Sequence, residues 1–421
     1  MTRTLQEISD FYFNRFGYKT GLPQLNTSTE TKMIIVIPVH NENGITKILT
    51  SLNSCDLPHK PVEVILVINQ SESAKEAIMR QNLQSVKDIE SWIVCNQGSL
   101  IRCNILEAMN LPDKLAGVGL ARKIGMDAAL KAFASINYNG LIVCLDADCT
   151  VEANYLQELE INFCQDDFHA GNIYYQHPLQ KNSLGIRKYE LGLRYYVNAL
   201  RFAGYPYSYH TIGSSMAVSA RTYAKSGGMN KRKAGEDFYF LHKLIPLGGF
   251  KELNSTAVYP SSRVSERVPF GTGRAMLKWE QQINRGKDSE LPMYCFRTFK
   301  DLKKFVSSLV ALRECTSEDL FDNTVESLPH SVRKFLVSQN FYSVLNSCIG
   351  QSASEEAYLK RIYAWLDGFK VLKFVHYARE HYYPEVPVEA CAKELLSSIG
   401  IDMEGSDEDL LTTYRTLDRS R

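Results

Sequence analysis

"LIVCLDADC", Leu141 to Cys149, begins as an apolar run and ends on two carboxylates one residue apart, Asp146 and Asp148. A continuous apolar run of this length suits a strand buried on both faces, the kind found in parallel sheets covered by helices. Three similar runs precede it: "MIIVIPV" (33–39), "VEVILVIN" (62–69) and "WIVCN" (92–96). Between the first two, Ile45, Ile48, Leu49 and Leu52 recur at helical spacing, and "GLARKIGMDAALKAF" (119–133) puts Leu120, Ile124 and Ala128 on one stripe. Strand, helix, strand in repetition predicts an α/β fold, an open doubly wound and mostly parallel sheet that binds its ligands at the carboxyl ends of the strands.

Further along, "AGNIYYQHPL" and "IGSSMAVSA" read as strands, 184–202 as an amphipathic helix, and "GEDFYFLHKLI" as a helix start. Beyond Arg274 the pattern is helical, and Ser406 three residues before Asp409 marks the start of the last helix. The chain therefore divides into an N-terminal extension (1–31), an α/β domain (32–275) and a helical C-terminal region (276–421). Along 184–202, Ile186, Glu190, Leu193, Val197 and Leu200 share a stripe, with Arg187, Lys188, Arg194 and Arg201 largely elsewhere. That leaves a basic face, which either is solvated or lies on an anionic membrane.

Composition narrows the function. Of 421 residues 44% are hydrophobic and 23% charged, which is ordinary globular material. Lys and Arg total 48 against 47 Asp and Glu, so no global field recommends a nucleic-acid partner. Residues 1–30 hold no apolar core of the kind a secretory signal needs, and no stretch approaches the roughly 18 apolar residues of a membrane span. The expectation is a cytoplasmic protein with at most peripheral contact at the inner face of a membrane. Ten scattered cysteines without zinc spacing read as reduced thiols.

The strand ends carry the chemistry. "PVHNENG" places Pro38, His40 and Glu42 at the end of the first strand, and Asn69 closes the second. "GVGLARK" (117–123) allows close backbone approach at Gly119 and adds Arg122 and Lys123 at a helix N-terminus, where the dipole favours an anion such as a diphosphate. Two residues apart in an extended strand end, Asp146 and Asp148 point the same way, and such a pair is favourable when a cation lies between them. Carboxylate oxygens suit Mg²⁺ or Mn²⁺.

In order and spacing, "MIIVIPVHNE", "GLARKIGMDAAL", "LIVCLDADC" and "GSSMAVSARTYAKSGGMNKRKAGEDFYFLHKLIPLGGF" resemble the inverting nucleotide-sugar glycosyltransferases of the family-2 type, which have the GT-A fold. The resemblance spans about 32–250. It implies that Pro38, His40 and Glu42 lie beside the nucleotide base and ribose, that Asp146 contacts ribose or metal, and that Asp148 binds the metal bridging the diphosphate. Asp237 matches the catalytic base, with Glu236 orienting its surroundings. Inverting transfer requires only one base, in contrast to the carboxyl pair of a hydrolase. Many relatives carry Asp where Asn69 and Gln70 stand, which opens the choice of base, UDP being favoured by frequency in the family. Many also supply a metal-binding histidine beyond the base-bearing helix. "VYPSSRVSERVPFGTG" has none, and Arg263 and Arg267 are candidates to cover the diphosphate instead. His210 is a further candidate at the metal or acceptor. The partners so implied are a UDP-sugar and a glycan or lipid-linked acceptor. A nucleotidyltransferase on a related fold and a non-catalytic nucleotide-sugar-binding scaffold are the alternatives.

Overall fold

The computed structural model describes residues 3–19, 21–165, 167–179, 184–263, 271–284, 290–315, 317–403 and 406–421. The chain runs α1 (Leu5–Arg15), β1 (Met33–Val39), α2 (Ile45–Asn53), β2 (Val62–Ser71), α3 (Glu76–Cys95), β3 (Ile101–Leu111), α4 (Val118–Ser135), β4 (Leu141–Cys144), β5 (Thr150–Val151) and α5 (Tyr155–Phe163). It continues with β6 (Ala170–Tyr175), α6 (Leu184–Phe202), β7 (Met216–Ser219), α7 (Ala220–Lys225), α8 (Glu236–Leu244), β8 (Phe250–Tyr259) and α9 (Thr272–Asn284). Residues 1–181, 211–280 and 418–421 form one compact unit, and residues 182–210 and 281–417 another.

The first unit is built on an eight-stranded sheet in the order β3-β2-β1-β4-β7-β6-β8-β5. The half from β3 to β4 is parallel throughout, while β7 runs antiparallel to both β4 and β6. This is the α/β, mostly parallel architecture expected from the alternating runs. All seven residues of β1 are buried, and each of its large aliphatic side chains contributes roughly 1.5–3 kcal/mol relative to exposure. Pro38 fits this central strand because β4 pairs only as far as Val36, so no ladder bond is lost at the proline. Helix α4 is buried nearly all round, and a Cβ on Gly125 would lie 2.4 Å from Val36 Cγ1, which shows how closely the helix sits on β1.

Two expectations change here. "WIVCN" is the end of α3 rather than a strand, and the third strand is Ile101–Leu111. Asn82, Ser85, Ile89 and Trp92 form the buried stripe of a 20-residue helix while Val94 is exposed, and a short apolar run by itself does not distinguish these cases. Secondly, β4 stops at Cys144, and a turn closed by the Cys149 N–H on the Asp146 carbonyl carries both acids. They lie off the strand, so strand alternation no longer aims them at one partner.

The second unit comprises α6, a two-stranded ribbon of β9 (Pro292–Met293) and β10 (Val386–Pro387), and a helical array. Its helices are α10 (Phe296–Leu312), α11 (Glu318–Glu326), α12 (His330–Ser338), α13 (Phe341–Gly350), α14 (Glu355–Trp365), α15 (Gly368–His381), α16 (Val388–Ser398) and α17 (Asp407–Arg419). The Ser406 hydroxyl caps α17 and Asp409 reaches back to the Ser406 N–H, as the sequence predicts. Two of the four basic residues of α6, Lys188 and Arg194, leave the solvated face expected of them. Lys188 pairs with Glu389 of α16, and buried Glu190 accepts from Arg194 and, 2.8 Å away, from Arg415. Among the described residues no helix is long and apolar enough to cross a membrane, and none of the ten cysteines is in a disulfide.

Candidate functional site

Loop and helix geometry at the carboxyl end of β1 follows from three polar side chains of α3. Asn41 has positive φ (49°), a conformation asparagine tolerates, and its N–H donates to Asn82 Oδ1 at 2.9 Å. Gln81 Nε2 and Ser85 Oγ donate to the Glu42 carbonyl at 2.9 and 2.8 Å. The loop is thereby fixed, and Glu42, 2% exposed, takes the Gly44 N–H on Oε1. His40 Nδ1 lies 2.8 Å from the Asn69 carbonyl, whereas the Asn69 amide turns inward to donate to the Val39 carbonyl. Asn82 and Ser85 escaped the sequence reading. Their signal was two polar residues on the stripe that Ile89 and Trp92 mark as buried.

At the other side, Gly235 in the left-handed region (φ 69°) turns the chain into α8, so Glu236 and Asp237 occupy its first turn. This segment crosses the start of α4 closely: a Cβ on Gly119 would lie 2.1 Å from the Arg232 carbonyl oxygen and 3.0 Å from Glu236 Cβ. Gly119 therefore admits protein backbone where an anion was expected. The same approach brings Glu236 onto Arg122, whose Nη1 donates to Glu236 Oε1 while Nη2 donates to Asp146 Oδ1 at 2.5 Å. Gly213 lies against this guanidinium, and a Cβ there would lie 2.4 Å from Nη1. Asp237 Oδ1 accepts from the Phe238 N–H at 2.7 Å, and the Gly213 backbone supplies a second hydrogen bond.

One guanidinium thus serves three carboxylates. Burial opposes the charge on Arg122, but Asp146, Glu236 and Asp237 outweigh it and hold its pKa above the ordinary value. Burial pushes Glu236 up to about 7, against the pull of Arg122 and with the push of Asp237. Asp237 is raised too, by burial first and against the same arginine. Behind them burial pushes the Cys144 thiol up to about 12 and Cys149 well above its usual range, so both are inert.

Asp148 belongs to a second cluster. Arg263, after β8, donates from Nη1 to Glu42 Oε1 at 3.1 Å and from Nη2 to Glu42 Oε2, and Nη2 also lies 3.1 Å from Asp148 Oδ2. Asp146 and Asp148 are thus linked by the turn but face different arginines. Part-exposed and adjacent at the mouth of the sheet, they offer the hard oxygens that Mg²⁺ or Mn²⁺ takes, and to that extent fit such an ion. Among the described residues no group of three or more His, Cys, Asp or Glu side chains is arranged to hold a metal.

The structure therefore brings together Glu42, Arg122, Asp146, Asp148, Glu236, Asp237 and Arg263, with Pro38, His40 and Asn69 at the adjoining strand ends. Lys123 is placed apart. Its Nζ donates to Tyr12 OH at 2.7 Å and pairs with Asp127 Oδ2 at 3.2 Å, inside a buried cluster completed by Tyr223. Successive helical residues diverge by about 100°, so Arg122 and Lys123 serve different surroundings. His210 is buried and lies in the second unit, and Arg267 lies outside the described residues.

No family model and no curated protein matches the chain. Among solved structures it is similar to S. aureus TarS 1–349 in complex with UDP-GlcNAc, with 13% identity and a TM-score of 0.41, covering 76% of this chain and 92% of that one. The same fragment in complex with UDP gives 14% identity and a TM-score of 0.38, covering 77% and 93%. GalNAc-T7 with UDP, GalNAc and Mn²⁺ gives 13% identity and a TM-score of 0.35, covering 72% of this chain and 57% of that one.

Proposed function

We propose that this chain is a glycosyltransferase of the GT-A, family-2 type that moves a sugar from a nucleotide-sugar donor, a UDP-sugar, to an acceptor hydroxyl with inversion. The observation that carries the reading is the convergence of Glu42, Asp146, Asp148, Glu236 and Asp237, through two arginines, at the carboxyl ends of β1 and β4 and the start of α8. Ligand sites of open α/β sheets lie at such strand ends.

In this reading Asp237 takes the proton of the acceptor hydroxyl as its oxygen attacks the anomeric carbon and the nucleoside diphosphate departs from the opposite face. Burial, which raises the Asp237 pKa, makes that carboxylate a stronger base than one in water. Arg122 holds Glu236 and Asp146 in place from behind, which fixes the wall between base and donor. Pro38, His40, Glu42 and Asn69 border the base and ribose. Asp148 and Asp146 would hold Mg²⁺ or Mn²⁺, which when bound supplies positive charge to the leaving diphosphate. The acceptor is a glycan or a lipid-linked molecule, and residues 32–275 carry the donor chemistry.

A thermal-shift panel of UDP, GDP, dTDP and CMP, each with and without Mn²⁺, tests the site. UDP with Mn²⁺ is expected to give the largest shift and Asp148→Ala to abolish its metal-dependent part. A panel in which no nucleotide stabilises the protein removes the reading.

A further inference from the structure

Arg263 contacts the two acids that the proposed donor site needs most. Its forked guanidinium grips Glu42 through both terminal nitrogens, the geometry in which an arginine–carboxylate pair is strongest. Glu42 is a rigid seat, because Gly44, Gln81 and Ser85 fix its carboxylate and its main chain. From this seat Nη2 reaches Asp148 Oδ2, while the Arg263 side chain itself stays 35% exposed. A positive group with open access to solvent thus lies on the carboxylate expected to bind the divalent ion.

We propose that Arg263 is a built-in competitor of the metal: in the donor-free protein it holds Asp148 and keeps a divalent ion from binding alone. The proposal rests on the donor-site reading above. Two cations on one carboxylate repel, and that repulsion opposes an ion arriving without its anion. An ion arriving with a nucleoside diphosphate brings negative charge, and the guanidinium released from Asp148 has phosphate oxygens to turn to. The consequence is synergy. Metal and nucleotide bind together, each weakly without the other, and a site that excludes a lone ion is not loaded unproductively.

The test is Mn²⁺ binding to nucleotide-free protein, measured by isothermal titration calorimetry and by the loss of the free-ion paramagnetic resonance signal. Arg263→Gln, which keeps an amide donor for Glu42, is expected to bind Mn²⁺ about tenfold more tightly than wild type, and Arg263→Lys to fall between. The gain in Mn²⁺ affinity on adding UDP should shrink correspondingly in Arg263→Gln. If this variant does not fold, adding Glu42→Gln to it removes the buried acid left unpaired and carries the same expectation. Unchanged Mn²⁺ affinity in Arg263→Gln, with binding still lost in Asp148→Ala, overturns the competitor role and leaves the donor site standing. Equal Mn²⁺ affinity of Arg263→Gln with and without Asp148→Ala overturns both, since the ion then binds elsewhere.

Discussion

Arg122 and Lys123 are neighbours on α4, both buried, and the clusters they enter differ in one respect. Lys123 meets one carboxylate, Asp127, and the pair is enclosed by the hydroxyls of Tyr12 and Tyr223, with the Tyr18 N–H completing Asp127 at 2.7 Å. Charge and hydrogen bonds there are balanced within the protein. Arg122 meets Asp146, Glu236 and Asp237, and its own Nε is buried without a partner among the described residues. A balanced buried cluster ties α1 to the sheet domain. The unbalanced one carries surplus acid at the carboxyl end of β4 and the start of α8, which the proposed function assigns to donor and acceptor.

The largest effect should come from the unbalanced side. Asp237→Asn is expected to lower donor turnover, followed as UDP release, by roughly 10²–10⁴-fold while the UDP–Mn²⁺ thermal shift persists. Because burial raises the Asp237 pKa, the acid limb of the rate profile should lie above the ordinary carboxylate range and disappear in the variant. Turnover at the original rate removes Asp237 as base.

Next in size is Arg122→Met, which strands Glu236 and Asp146. Removing one partner of a buried pair costs about 3–5 kcal/mol, here read from urea unfolding, and adding Glu236→Gln should recover much of it. Without recovery, the cost lies in lost packing rather than in charge.

The balanced side should behave differently. Tyr12→Phe removes the hydroxyl that Lys123 and Asp127 share, at a cost of about 1–3 kcal/mol, with turnover per folded molecule unchanged. A specific loss of turnover would erase the distinction between the two clusters.

The last effect is read as a slope with pH rather than as a loss at one pH. Glu236 has a folded-state pKa of about 7 against an ordinary 4.5, so its proton stabilises the fold in acid. That contribution is complete below the ordinary value and is lost as pH rises through the folded one. Glu236→Gln should therefore flatten the decline in unfolding free energy between about pH 5 and 8. Equal slopes in variant and wild type place the surplus proton elsewhere.

Much of the first unit was legible from residue order. β1, β2 and β4, the helical stripes of α2 and α4, and the start of α8 all follow from apolar periodicity, which burial enforces locally. "WIVCN" misled because a five-residue apolar run satisfies a helix face and a strand equally, and only the preceding stripe through Asn82 and Ser85 decides. In the site, the residue types were legible but their partners were not. Asp146 and Asp148 look like a pair in sequence, yet the turn after Cys144 sends one to Arg122 and the other to Arg263.

What the sequence determined by itself is whatever depends on neighbours a few positions away: the alternation of strand and helix, the polar strand ends, and the acidic first turn of α8. Tertiary structure alone decided which charges meet. The contact between Arg122 and Glu236 joins residues 114 positions apart, and that between Arg263 and Glu42 joins residues 221 apart. Such contacts exist only because the sheet order carries distant strand ends to one edge, and no local periodicity encodes that order. The same holds for Lys188 of α6, which looks solvated in sequence and pairs with Glu389 of α16.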